Sequence, residues 1–120
     1  MSTRVMVVDD SRVVFMQIKK MLQDTDFEIV QYCQSGESAI EAYGECNPDV
    51  VTMDIIMPGI DGFEAAKEIL TKWPDAKIIM VSSLAYDETI TQAEEMGLKD
   101  FIYKPLQREK IIEALEKAVR

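Results

Sequence analysis

The stretch VVTMDIIMPGIDGFEAAKEIL, residues 50–70, contains one complete structural unit. It opens on Val50-Val51-Thr52-Met53, a run without polar alternation, as expected of a strand covered on both faces. Asp54 ends the run. Asp61-Gly62-Phe63-Glu64 then reads as a capping box, with Asp61 as N-cap and Glu64 reaching back. Phe63, Ala66, Ile69 and Leu70 recur at helical spacing behind it. A buried strand leads into an amphipathic helix, and an acidic residue stands at the carboxyl end of the strand.

The same alternation extends in both directions. Further apolar runs are Val5-Met6-Val7-Val8, Ile29-Val30, Ile78-Ile79-Met80-Val81 and Phe101-Ile102-Tyr103. Helical stripes lie between and after them: Val14, Ile18, Met21 and Leu22; Ala39, Ile40 and Tyr43; Ile90, Ala93 and Met96; Ile111, Ile112, Leu115 and Val119. Pro48 and Pro74 follow the second and third helices, and Gly97 sits where a C-cap glycine belongs. Five strand–helix units, about one per 20–25 residues, predict a parallel sheet with helices on both faces. They are too few for a (β/α)8 barrel. The expected fold is a (βα)5 flavodoxin-like, doubly wound five-stranded sheet of order 2-1-3-4-5. Residues 1–120 are expected to form a single domain, without linker or low-complexity segment.

Composition narrows the chemistry. The 120 residues carry 22 Asp plus Glu against 13 Lys plus Arg, a net charge of −9. That balance disfavours direct nucleic-acid binding and an anionic-membrane anchor. With no His there is no Ser-His-Asp triad, no Cys-His dyad and no His metal site. Cys33 and Cys46 form neither a disulfide framework nor a CxxC pair and read as reduced, packed residues of a cytosolic protein. No apolar run approaches the roughly 18 residues needed to span a bilayer. Met1-Ser2-Thr3-Arg4 leads straight into the first strand, with no visible signal peptide.

In an open α/β sheet, ligands bind outside the carboxyl ends of the strands. Asp9 and Asp10 follow the first run, Asp54 the third, Ser82 and Ser83 the fourth, and Lys104-Pro105 the fifth. Singly, each has a structural explanation: a helix cap, a solvated turn, an exposed lysine. Together they converge at one edge. Three crowded carboxylates repel unless protonated or neutralised. Oxygen-only donors favour Mg²⁺, with Mn²⁺ as the alternative. Mg²⁺ commonly completes its shell with phosphate oxygens, Lys104 suits a phosphoryl group, and an Asp carboxylate is a competent nucleophile. Phosphoryl transfer onto one of these aspartates is the resulting hypothesis.

Val7-Val8-Asp9-Asp10-Ser11, Met53-Asp54-Ile55-Ile56-Met57-Pro58-Gly59-Ile60-Asp61-Gly62, Val81-Ser82-Ser83 and Phe101-Ile102-Tyr103-Lys104-Pro105 occur in this order. In these motifs the chain resembles the receiver domains of two-component response regulators, in particular single-domain CheY-like chemotaxis regulators. The resemblance covers essentially the whole chain. It implies that Asp54 accepts a phosphoryl group from a histidine kinase or phosphotransfer domain. Asp10, Asp9, Asp54 and the backbone carbonyl of Ile56 would hold Mg²⁺. Lys104 would contact phosphoryl oxygens. Ser82 would hydrogen-bond the group and couple it to the switch aromatic Phe101. The face of the fourth helix, fifth strand and fifth helix would then bind a target, with the flagellar motor switch as candidate. Lys104-Pro105 would be a cis peptide.

Two neighbouring positions, Ile56 and Leu84, are aliphatic where such domains can carry polar side chains. A comparatively long-lived phosphoaspartate is expected in consequence. Ala85, Ile90, Tyr103 and Ala114 are candidates for the output face, although Ile90 and Ala114 also suit the core side of their helices. Tyr103 should point to the same side as Phe101. Arg12, Lys19 and Lys20 read as a solvated face or as a contact for a kinase. The chain is expected to act in the cytoplasm, as a monomer and a signalling module, not a turnover enzyme. Three alternatives stay open: a receiver excised from a larger regulator, a phosphate-independent interaction module, and a phosphoaspartate hydrolase. The last lacks an acidic partner at position 56 and room for a substrate cap. A flavin or nucleotide domain is disfavoured by Asp9 and Asp10 where a phosphate loop would lie.

Overall fold

A computed structural model describes residues 2–83 and 87–120. The elements are β1 (Thr3–Val8), α1 (Arg12–Met21), β2 (Phe27–Cys33), α2 (Gly36–Cys46), β3 (Val50–Asp54), α3 (Gly62–Lys72), β4 (Ile78–Ser82), α4 (Asp87–Glu95), β5 (Asp100–Tyr103) and α5 (Arg108–Ala118). All strand pairs are parallel, in the order β2-β1-β3-β4-β5.

Each apolar run serves two cores at once, because side chains alternate across a strand. Met6, Val8, Val51, Met53, Ile78 and Met80 face the layer of α2, α3 and α4. Val5, Val7, Val50, Ile79 and Val81 face α1 and α5. All eleven are buried. The short run Ile29-Val30 understates β2, which extends over Phe27–Cys33. This strand lies at the sheet edge, half exposed along its length, so its polar Glu28 and Gln31 interrupt the apolar pattern without ending the strand.

The punctuation behaves as its chemistry demands. The Asp61 carboxylate accepts from the Glu64 N–H at 2.9 Å, capping α3. Ser11 and Ser35 cap α1 and α2 in the same way. Asn47 ends α2 in the left-handed region (φ 48°), immediately before Pro48. Gly97 follows α4 at φ 77°, a conformation that suits a residue without a Cβ.

A second glycine positions the site itself. The Gly62 N–H donates to the Ile55 carbonyl at 2.7 Å, closing the loop between β3 and α3. A Cβ at Gly62 would overlap the Asp54 carbonyl oxygen and crowd Ile55. Glycine therefore lets the start of α3 lie directly on the backbone of Asp54. Gly62→Ala should destabilise the fold by about 1–3 kcal/mol, the usual range for forced overpacking, measured as a lower urea midpoint.

Candidate functional site

Parallel strands bring their carboxyl ends to one edge, and register does the rest. Val8 pairs with Met53, which sets Asp9 beside Asp54. Asp54 pairs with Val81, and Ser82 with Tyr103, bringing the ends of β4 and β5 alongside. Oxygens of Asp9, Asp10 and Asp54 lie within 4.8 Å of one another. Asp9 and Asp54 are buried, while Asp10 is exposed to solvent.

The Lys104 ammonium stands between the two buried carboxylates, 3.1 Å from Asp9 Oδ2 and 3.4 Å from Asp54 Oδ1. Backbone groups orient the same carboxylates: the Ser11 N–H donates to Asp9 Oδ1 at 2.9 Å, and the Ile55 N–H to Asp54 Oδ1 at 3.0 Å. The Lys104 N–H donates to the Ser82 carbonyl at 2.9 Å, so the residues ending β4 and β5 are tied through their backbones. Ser82 itself is buried. The Lys104–Pro105 peptide is cis, as expected.

Burial, then the nearby charge of Asp9, pushes Asp54 up from 3.8 to about 6, against the pull of Lys104 and the Ile55 N–H. Burial alone would lower Lys104; its contacts with Asp9 and Asp54 outweigh this and hold it above the ordinary lysine value. Lys104 is thus a fixed cation, but one charge does not neutralise three carboxylates. The deficit is what a hard divalent cation supplies. The all-oxygen donor set of Asp9, Asp10 and Asp54, with one member open to solvent, fits Mg²⁺ or Mn²⁺.

Most expected site residues converge here: Asp9, Asp10, Asp54, Ser82 and Lys104. Ile56 lies in the loop after Asp54 with its side chain 59% exposed, outside the apolar core. Phe101 is half-buried on β5, and its ring lies 5.4 Å from that of Tyr103, on the same side as alternation requires. Tyr103 is exposed and Ile90 half-buried on α4. Ala114 is buried in the core under α5, so its apolar character serves packing. Leu84 and Ala85 lie outside the described residues. Cys33 is buried and Cys46 half-buried, both as free thiols.

Tyr32 escaped the sequence reading. It stands near the carboxyl end of β2, stacked on Phe15 of α1 at 4.1 Å, close enough to Asp9, Asp10 and Arg12 to feel their charge. Its place next to the last residue of a strand was the available signal, hidden by the broken apolar pattern of β2.

Residues 5–116 match the model of the response regulator receiver domain. The chemotaxis protein CheY of Listeria monocytogenes is 42% identical over 117 residues, 98% of each chain. Among solved structures, the CheX–CheY–BeF3–Mg²⁺ complex from Borrelia burgdorferi includes a chain 32% identical, with a TM-score of 0.90, covering 94% of this chain and 86% of that one. The response regulator domain of Thermotoga maritima CheB is 35% identical with a TM-score of 0.92, over 99% and 97% of the two chains.

The upward displacement of Asp54 has a definite sign in stability. Below pH 3.8 the carboxyl is protonated folded and unfolded, and contributes nothing. Stability falls as pH rises from about 4 to about 6, and above that a constant penalty of about 3 kcal/mol remains. In EDTA at pH 7.5, Asp54→Asn should raise the unfolding free energy by about 1–3 kcal/mol. The gain should vanish near pH 3.5, as paired urea titrations would measure.

Proposed function

The chain belongs to the response regulator receiver family, and from that premise we propose that it accepts a phosphoryl group on Asp54 from a phosphohistidine donor. It acts as a two-component signalling domain, with CheY-like chemotaxis proteins among its relatives. No helix among the described residues is long and apolar enough to cross a membrane. One observation carries the proposal: three carboxylates gathered within 4.8 Å at a sheet edge, two of them bridged by a single ammonium.

Asp54 is the nucleophile. Lys104 and the Ile55 N–H orient its carboxylate for attack. One carboxylate oxygen forms a bond to phosphorus while the phosphorus–nitrogen bond of phosphohistidine breaks. The bonding pair leaves on the imidazole nitrogen. Asp9, Asp10, Asp54 and the Ile56 carbonyl would hold Mg²⁺, which when bound offsets carboxylate charge and the charge of the phosphoryl oxygens. Lys104, already beside the Asp54 carboxylate, contacts a phosphoryl oxygen and orients the group.

The readout runs through Ser82. A phosphoryl group on Asp54 adds acceptor oxygens that draw on the Ser82 hydroxyl. The Lys104 N–H holds the Ser82 carbonyl, so displacement at the end of β4 passes to β5 and its aromatic pair, Phe101 and Tyr103. The face of α4, β5 and α5 then takes a target. The partners are a histidine kinase or phosphotransfer domain upstream and, downstream, the motor switch or a CheX-like protein, since the Borrelia relative was crystallised with CheX. Residues 1–120 act as one monomeric receiver in the cytoplasm, in keeping with two free thiols. The likeness to a CheB receiver favours a second reading, a receiver that serves a larger regulator.

Intact mass after incubation with Mg²⁺ and acetyl phosphate tests the proposal. One phosphoryl group should appear, requiring the metal and absent from Asp54→Asn. An unmodified, folded protein with acetyl phosphate and with a phosphohistidine donor alike would refute it. The aliphatic side chains at 56 and 84 should also give a long-lived phosphoaspartate. An Ile56→Asn/Leu84→Gln variant should lose its label several-fold faster in the same assay.

A further inference from the structure

The loop between β3 and α3 carries the Ile56 carbonyl, and its two halves are held differently. Ile55 and Met57 are buried in the layer of α2 and α3, with the exposed Ile56 between them. The Gly62 N–H closes the loop on the Ile55 carbonyl. Pro58-Gly59-Ile60 lies between these anchors and is gripped from outside the loop, by the first turn of α2. Gly59 runs at φ 84° with its open side turned to Glu37: a Cβ there would lie 2.5 Å from Glu37 Oε2 and 2.9 Å from Oε1. The Ile60 N–H donates to Glu37 Oε2 at 3.5 Å. A Cβ at Gly36 would in turn lie 2.7 Å from Ile60 Cγ1. Two consecutive residues of α2 thus bear on two consecutive residues of the loop.

Helix α2 does not need Glu37 for its own start. Its cap is Ser35, whose hydroxyl accepts from the Ser38 N–H at 3.1 Å. No counter-charge holds the Glu37 carboxylate either, because among the described residues the only ion pairs are those of Lys104. The side chain reaches instead across 23 positions of sequence to a backbone amide. What it meets there is the softest point of the loop. Glycine has the widest choice of φ and ψ, so Gly59 is where a clamp removes the most freedom. Between Gly59 and Ile56 stand only Met57, anchored in the core, and Pro58, whose ring fixes φ. Few free torsions separate the brace from the Ile56 carbonyl.

We propose that Glu37 is a positioning residue for the metal site: its carboxylate braces Gly59 and Ile60 and so fixes where the Ile56 carbonyl points. This deepens the receiver reading and rests on it, since the direction of that carbonyl matters where Mg²⁺ is held. A backbone carbonyl used as a ligand cannot turn without its loop. A ligand group fixed from behind loses less freedom when the metal arrives, which is how outer partners strengthen a metal site. Glu37 itself touches neither the metal nor the phosphoryl group; it acts through the backbone of residues 57–60.

The test is a Mg²⁺ titration of ¹⁵N-labelled protein, followed by the amide shifts of residues 54–60. Glu37→Ala should weaken Mg²⁺ binding about tenfold, the lower end of what outer partners of metal ligands contribute. Glu37→Gln loses the charge but keeps an oxygen acceptor for the Ile60 N–H, and should bind within about twofold of the parent. Glu41→Ala removes the same charge one turn along α2 and should leave the affinity equally unchanged. In EDTA, the Ile60 amide should exchange with solvent several-fold faster in Glu37→Ala than in the parent or in Glu37→Gln. Position 37 is exposed, so its variants should keep the parent melting temperature. The proposal fails if the Ile60 amide exchanges alike in all variants. It fails too if Glu37→Gln or Glu41→Ala binds Mg²⁺ as weakly as Glu37→Ala, since remote charge and not the brace would then set the affinity. A parent chain that binds no Mg²⁺ would overturn this role together with the receiver reading, and the exchange rates in EDTA tell the two failures apart.

Discussion

The Lys104 ammonium sits 3.1 Å from Asp9 and 3.4 Å from Asp54, and it reaches both because five parallel strands end on one edge. Two buried carboxylates this close would otherwise repel, and a third, Asp10, adds to the charge. The residual imbalance shows in Asp54, whose carboxyl is held near pH 6. The fold therefore stores an electrostatic demand at the point where β1, β3 and β5 end. The ends of the neighbouring strands answer it with one ammonium, that of Lys104, and a buried serine, Ser82.

The same geometry couples the site to the surface. Glycine at 62 lets α3 lie directly on the backbone of Asp54. At the end of β4, the backbone bond between Ser82 and Lys104 makes a hydroxyl and an ammonium parts of one short linkage. Phe101 and Tyr103 lie on the same strand, the first half-buried and the second exposed. The ends of β4 and β5 are thus tied together beside Asp54. Helix α1 borders the site through another connection, the single residue Ser11 between Asp10 and Arg12.

Residues 50–70 carried the strand, the cap and the helix in plain form, because a strand covered on both faces has no reason to alternate. β2 was harder, since an edge strand mixes polar and apolar residues and resembles a loop. Tyr32 went unseen for that reason. Ala114 is the opposite case: a small apolar residue on an amphipathic helix suits core and surface alike, and only its packing under α5 decided for the core.

The linear order of residues determined the fold class, the strand ends that bear Asp9, Asp10, Asp54, Ser82 and Lys104, and the family. Short-range physics is enough for this: period, capping and turn chemistry act within a few residues. Tertiary structure decided the distances, the burial and the charge balance. Asp9 and Asp54 are 45 positions apart in the numbering and Lys104 is 95 from Asp9. Only parallel register makes them neighbours. The basicity of Asp54 depends on what surrounds its side chain in space, and a one-dimensional pattern does not contain that.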